Sequence, residues 1–192
     1  LPYRDAGAFM AALRAQSGMG ARALEFGILT AARSGEVRGA TWAEIDLQAR
    51  RWVIPKERMK AGREHRVPLS DAAVNILSAL PRLADSDTVF WSPRGGQLSD
   101  MALTVVLRRM QVNAVPHGFR STFRDWAAEC TNYPNEVAEM ALAHTVGDKV
   151  EAAYRRGDLL EKRALMMADW AAYCARESAG IAEVVPINAK RA

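Results

Sequence analysis

Only residues 51–69 of this 192-residue chain read as β-structure, which confines the fold to a mainly helical one built around a small sheet. Arg51-Trp52-Val53-Ile54-Pro55 joins aromatic and β-branched residues and stops at a proline, the pattern of a short strand. Glu57-Arg58-Met59-Lys60 and His65-Arg66-Val67-Pro68-Leu69 follow as the expected arms of a hairpin around Ala61-Gly62-Arg63-Glu64. Three short strands among helices predict an α+β domain, mainly α-helical, with one three-stranded antiparallel sheet. Lys56, Arg58, Lys60, Arg63 and Arg66 crowd positive charge onto this hairpin. Such a turn suits a solvated loop, or one that enters the groove of a polyanion.

Elsewhere the apolar residues recur at helical spacing. Residues 5–31 predict two helices interrupted at Gly18 and Gly20. Ser34 is the expected N-cap of a short helix, which places Arg33 and Glu36 three residues apart at its start, as an ion pair or as part of a site. Ser70-Asp71 caps a helix to residue 80, residues 81–98 read as loop, and Ser99-Asp100 opens a helix to residue 110. Further helices are expected over 119–130, 136–143, 149–154 and 159–176. Leu159, Leu160, Leu165, Met166 and Trp170 give the last one an apolar face, for its own domain or for a neighbouring protomer. Residues 1–176 therefore read as one domain, followed by an expected flexible tail, 177–192.

A net charge of +4 and a pI near 9.3 favour a polyanionic partner, because clustered Lys and Arg release counterions from phosphate backbones. No apolar run of about 18 residues suggests a membrane span. The first residues resemble no signal peptide and lack an initiator Met, so the chain reads as a fragment or processed piece in a cytoplasmic setting. Cys130 and Cys174 are isolated, as buried reduced thiols are. His65, His117 and His144 lack the spacing and companions of a zinc site, and no Walker-type glycine loop is present. No cofactor is expected.

One constellation stands out. His117-Gly118-Phe119-Arg120, His144 and Tyr154 offer two imidazoles, a guanidinium and a phenol close together in the chain. Cutting a phosphodiester needs a nucleophile, positive charge on the non-bridging oxygens, a proton acceptor and a proton donor. Of these, the fixed positive charge usually lowers the barrier most. Arginine suits that charge, since its planar fork binds two oxygens at once, and tyrosine is a competent nucleophile. Taken singly each residue also has an ordinary structural role: His117 buried against backbone, His144 at a helix end, Tyr154 in a core, Lys60 in solvent beside Lys56, Arg120 paired with Asp125.

In order, however, the motifs resemble the catalytic domain of the tyrosine recombinases, in the phage and genomic-island integrase branch. They are Ala32-Arg33-Ser34-Gly35-Glu36, then Glu57-Arg58-Met59-Lys60 with His65-Arg66-Val67-Pro68-Leu69-Ser70, then Pro116-His117-Gly118-Phe119-Arg120, Leu142-Ala143-His144 and Ala152-Ala153-Tyr154. The likeness covers roughly residues 5–176 and implies the tyrosine recombinase catalytic-domain fold. It implies Tyr154 as nucleophile, forming a 3′-phosphotyrosyl link, with Arg33 and Arg120 on the non-bridging oxygens and Lys60 as proton donor to the 5′-oxygen. His117 would assist proton transfer at the tyrosine, Glu36 would position it, and His144 would hydrogen-bond the phosphate.

The resemblance further implies site-specific recombination, integration or excision, without metal or ATP. The expected partners are double-stranded DNA carrying a core site and further copies of the chain in a tetramer, with no membrane, in the bacterial cytoplasm at the nucleoid. The core-binding and arm-binding domains that usually precede such a domain are not expected in this chain. Two other readings stay open at this point. One is type IB topoisomerase-like relaxation, and the other is a non-catalytic helix-turn-helix module over residues 121–143.

Overall fold

The structure, a computed structural model, describes residues 1–144 and 157–176. The expected helix over 149–154, Tyr154 itself and the tail 177–192 lie outside the described residues. Helices α1 (Ala6–Arg14) and α2 (Met19–Thr30) are separated at Gly18, whose φ of 94° is in the region that favours glycine. Gly20 is not a break. It lies inside α2, where an added Cβ would come within 3.4 Å of the Ala102 carbonyl oxygen, at the start of α5 (Ala102–Arg109).

Helix α2 is the hub. Its buried Leu24, Phe26, Ile28 and Leu29 lie among α1, α3 (Ser34–Arg38), α4 (Asp71–Ala79), α5, α6 (Gly118–Cys130) and α8 (Leu160–Ala175), with α7 (Asn135–Ala141) packed on α6 and α8. Aromatic contacts help to fill the core. Phe26 meets Trp52 and Phe90 at ring-centroid distances of 5.4 and 5.3 Å. Trp170 packs on Trp126 and Phe123 at 5.0 and 5.6 Å while its indole N–H donates to the Ile28 carbonyl at 2.9 Å. Met166 and Trp170 are thus committed to this domain, and Leu165 points to solvent.

The sheet has three antiparallel strands in the order β1 (Ile45–Asp46), β2 (Arg51–Ile54), β3 (His65–Pro68). Trp52 pairs with Val67 and Ile54 with His65, and burial alternates along β2 as it does when one face meets a core. The fold class is the one the sequence predicts, but one strand is different. Residues 57–60 are not a hairpin arm: a 3-10 turn, Lys56–Arg58, follows Pro55, and the third strand is the two-residue β1. Arg58 explains the turn. Its guanidinium reaches back to the Glu44 carboxylate and the Glu36 carbonyl, which draws the chain off the sheet edge.

Smaller differences follow local chemistry. The N-cap of α3 is Arg33 rather than Ser34, with the Glu36 carboxylate accepting from the Arg33 backbone N–H at 2.8 Å. Helix α4 starts as expected, the Ser70 hydroxyl accepting from the Ala73 N–H. Cys174 is buried, but Cys130, at the end of α6, is exposed; both are free. Among the described residues no helix is long and apolar enough to cross a membrane.

Candidate active site

Two helix ends and the first turn of α6 build the site. Helix α2 ends at Ala31 in the left-handed conformation (φ 51°), and the chain turns at once into α3 with Arg33 at its N-cap. The Arg33 Nη1 donates to Glu36 Oε1 at 2.8 Å, so one carboxylate fixes both the backbone and the side chain of Arg33. Glu36 is only 6% exposed, and its pairing answers the cost of burying it.

Arg120 comes from the first turn of α6 and is also 6% exposed. Its Nη1 donates to the Ala31 carbonyl, its Nη2 to the Leu142 carbonyl at 2.6 Å, and Nη2 lies 3.2 Å from His144 Nε2. A guanidinium has five N–H groups, so these three contacts leave two for a ligand. Burial, with the charge of Arg33 adding to it, pushes Arg120 down to about 10, against the pull of Glu36 and Glu139. Arg120 is therefore cationic at neutral pH. Two guanidinium charges converge over one buried carboxylate, an excess of positive charge that suits a phosphate.

His144 is placed by the end of α7. The His144 N–H donates to the Glu139 carbonyl at 2.9 Å and the Ala143 N–H to Met140 at 3.1 Å, with Ala143 left-handed at φ 50°. Its Nδ1 lies 2.7 Å from Glu139 Oε2. The structure thus gathers Arg33, Glu36, Arg120 and His144. His117 is exposed at the N-cap of α6, one turn before Arg120. Lys60 is exposed on the hairpin turn, just beyond the Arg58 tether to α3.

Several neighbours have no site role assigned from the sequence, although Arg58, His65 and Arg66 lie within its motifs. Arg58 packs so tightly that a Cβ on Gly39 would fall 2.9 Å from its Nη2. His65 is half-buried against Ala141 near Arg33 and Glu36; burial, then the charge of Arg163, lowers it to about 4, so it is neutral at pH 7. Arg163, 1% exposed, donates to the Arg66 carbonyl at 2.6 Å and to Asp158 Oδ2 at 2.7 Å, while Arg66 grips the same carboxylate at 2.9 Å. No spacing rule reaches such long-range contacts. Among the described residues no cluster of three His, Cys, Asp or Glu side chains is arranged to hold a metal ion.

The model of the phage integrase family matches residues 3–159. The chain belongs to that family. The chain is 37% identical to prophage integrase IntA of Escherichia coli K12 over 149 residues, 75% of this chain and 36% of that protein. It is 32% identical to the integrase of Enterobacteria phage P4 over 187 residues, 86% of this chain and 43% of that one. Prophage integrase IntZ of E. coli K12 is 35% identical over 176 residues, 89% and 44% respectively. The integrase-family chain thus spans less than half the length of these relatives. The mainly helical fold and small antiparallel sheet are those of a tyrosine recombinase catalytic domain.

Proposed function

We propose that the protein carries out site-specific DNA recombination, breaking and rejoining double-stranded DNA through a covalent 3′-phosphotyrosyl intermediate on Tyr154. The observation that carries this reading is the convergence of Arg33 and Arg120 with His144 on one anion site, in a chain of the integrase family. In the proposed step the Tyr154 phenolic oxygen attacks phosphorus, forming a P–O bond as the P–O5′ bond breaks. The phenolic proton passes to His117, and Lys60 protonates the leaving 5′-oxygen. Arg33 and Arg120 hold the non-bridging oxygens and His144 hydrogen-bonds the phosphate, while Glu36, expected from the sequence to position His117, orients Arg33, the side chain it pairs with. The phosphotyrosyl bond conserves the energy of the phosphodiester, so rejoining by a 5′-hydroxyl draws on neither ATP nor a metal ion.

On this reading residues 1–176 act as one catalytic domain, DNA carrying a core site is the substrate, and copies of the protein assemble as a tetramer in the nucleoid. The helix-turn-helix alternative fits poorly with α7, which packs on α6 and α8 and holds His144 in place. A supercoiled plasmid bearing two core sites, incubated with the protein in EDTA without nucleotide, separates the two enzymatic readings. Recombinant circles are the expected product. Relaxed plasmid without recombinants would favour topoisomerase-like chemistry instead.

A further inference from the structure

We infer that Glu139 is a positioning residue for the reaction, fixing the tautomer of His144 and supplying the charge that lets its Nε2 donate to a phosphate oxygen. This rests on the reading of His144 as a phosphate ligand. The same glutamate holds the histidine twice, accepting the His144 backbone N–H at its carbonyl and facing Nδ1 with its carboxylate at 2.7 Å. On the other side of the ring, Arg120 Nη2 lies 3.2 Å from Nε2. A guanidinium only donates, so Nε2 is the acceptor and the single ring proton sits on Nδ1, aimed at Glu139.

Glu139 is itself locked. Arg124 Nε donates to its Oε1 at 2.5 Å, and the same guanidinium reaches Asn135 Oδ1 at the start of α7. Partial burial raises the Glu139 carboxyl, but the hydrogen bonds from Arg124 and His144 outweigh it and hold the group below its ordinary range. It is therefore a carboxylate throughout the working range.

The consequence appears when a phosphate oxygen reaches Nε2. That oxygen only accepts, so Nε2 must gain a proton while Nδ1 keeps its own, and the ring becomes an imidazolium by taking up one proton from solvent. Among the described residues, the charged groups around it are Arg120 and Arg124 on α6, Glu139 on α7, and Arg33 with Glu36 beyond Arg120. A further positive charge beside Arg120 is unfavourable unless a negative one offsets it. Among the described residues, Glu139 is the carboxylate in contact with the ring.

The test separates hydrogen bond from charge. Glu139→Gln removes the charge and leaves one acceptor oxygen for which Nδ1–H and Arg124 compete; Glu139→Ala removes both charge and acceptor. With a nicked core-site duplex at saturation, adduct formation is followed against pH, alongside DNA binding. For Glu139→Gln, binding should stay within a few-fold of wild type. Its rate of adduct formation should fall roughly ten-fold at alkaline pH and stay near wild type at acid pH. A profile of unchanged shape, whether at full rate or scaled down equally at all pH values, would overturn the inference. Nitrogen-15 NMR of the histidine rings gives an arm independent of activity. Wild type should show His144 protonated at Nδ1, and Glu139→Ala should lose that preference; an Nε2–H ring in the free wild-type protein would overturn the inference. No adduct with wild-type protein, beside an Nδ1–H ring, would instead count against the recombinase reading.

Discussion

At the scale of single residues, Arg120 commits two N–H groups to the carbonyls of Ala31 and Leu142, so replacing it removes more than a phosphate ligand. Arg120→Ala leaves two carbonyls without their donor and should cost about 2–4 kcal/mol in chemical denaturation, besides abolishing cleavage. Arg33 is the cleaner probe. Arg33→Lys keeps a charge beside Glu36 but loses the fork, so folding should be near wild type while cleavage falls by about 10²–10³-fold. Equal losses of stability in the two variants would contradict this division of roles. His65 gives a pH dependence with a defined sign. Its value falls from 6.5 to about 4 on folding, so the unfolded chain binds the extra proton first and stability drops as pH falls from 6.5 through 4. The loss from this one group is about 2 kcal/mol at pH 5. Urea midpoints at pH 7 and pH 5 should differ clearly less in His65→Gln than in wild type.

At the scale of elements, the two helix ends that form the site, at Ala31 and Ala143, are both left-handed without glycine. Ala143→Gly removes the clash of a Cβ there and should stabilise the fold by about 0.5–1 kcal/mol in thermal or urea unfolding. A loss of stability would mean that the His144 backbone is held some other way. The helices are legible in the sequence because each buries one face, and burial imposes a 3.6-residue period that Phe26, Trp126 and Trp170 all obey. Strand β1 is not, since two residues carry no alternation. The segment 57–60 looks like a hairpin arm in sequence because its true course follows Arg58, whose partners Glu44 and Glu36 are far away in the chain. Arg33, Glu36, Arg120 and His144 are legible as motifs. Glu139 is not: its contact across five residues arises only when the helix end reverses at Ala143, a position whose alanine gives no hint of positive φ.

At the scale of the molecule, the sheet and the last helix are joined by charge. Asp158 is gripped by Arg66 from β3 and by Arg163 from α8, and Arg163 is 1% exposed. Asp158→Ala leaves that guanidinium buried without its partner and should cost about 3 kcal/mol, read as a lower urea midpoint. Gly7 marks the opposite seam, where α1 meets the end of α8: an added Cβ would lie 2.0 Å from the Arg176 carbonyl oxygen. These contacts close a helical shell around α2, with Arg33 and Arg120 converging where α2, α3 and α6 meet. The central claim is that this site serves a tyrosine nucleophile, and the most direct measurement is to trap the protein on a nicked core-site duplex and map the linkage by mass spectrometry. The expected result is a 3′-phosphate esterified to Tyr154, absent in Tyr154→Phe. An adduct on another residue, a 5′-phosphate linkage, or an adduct that survives Tyr154→Phe would contradict it.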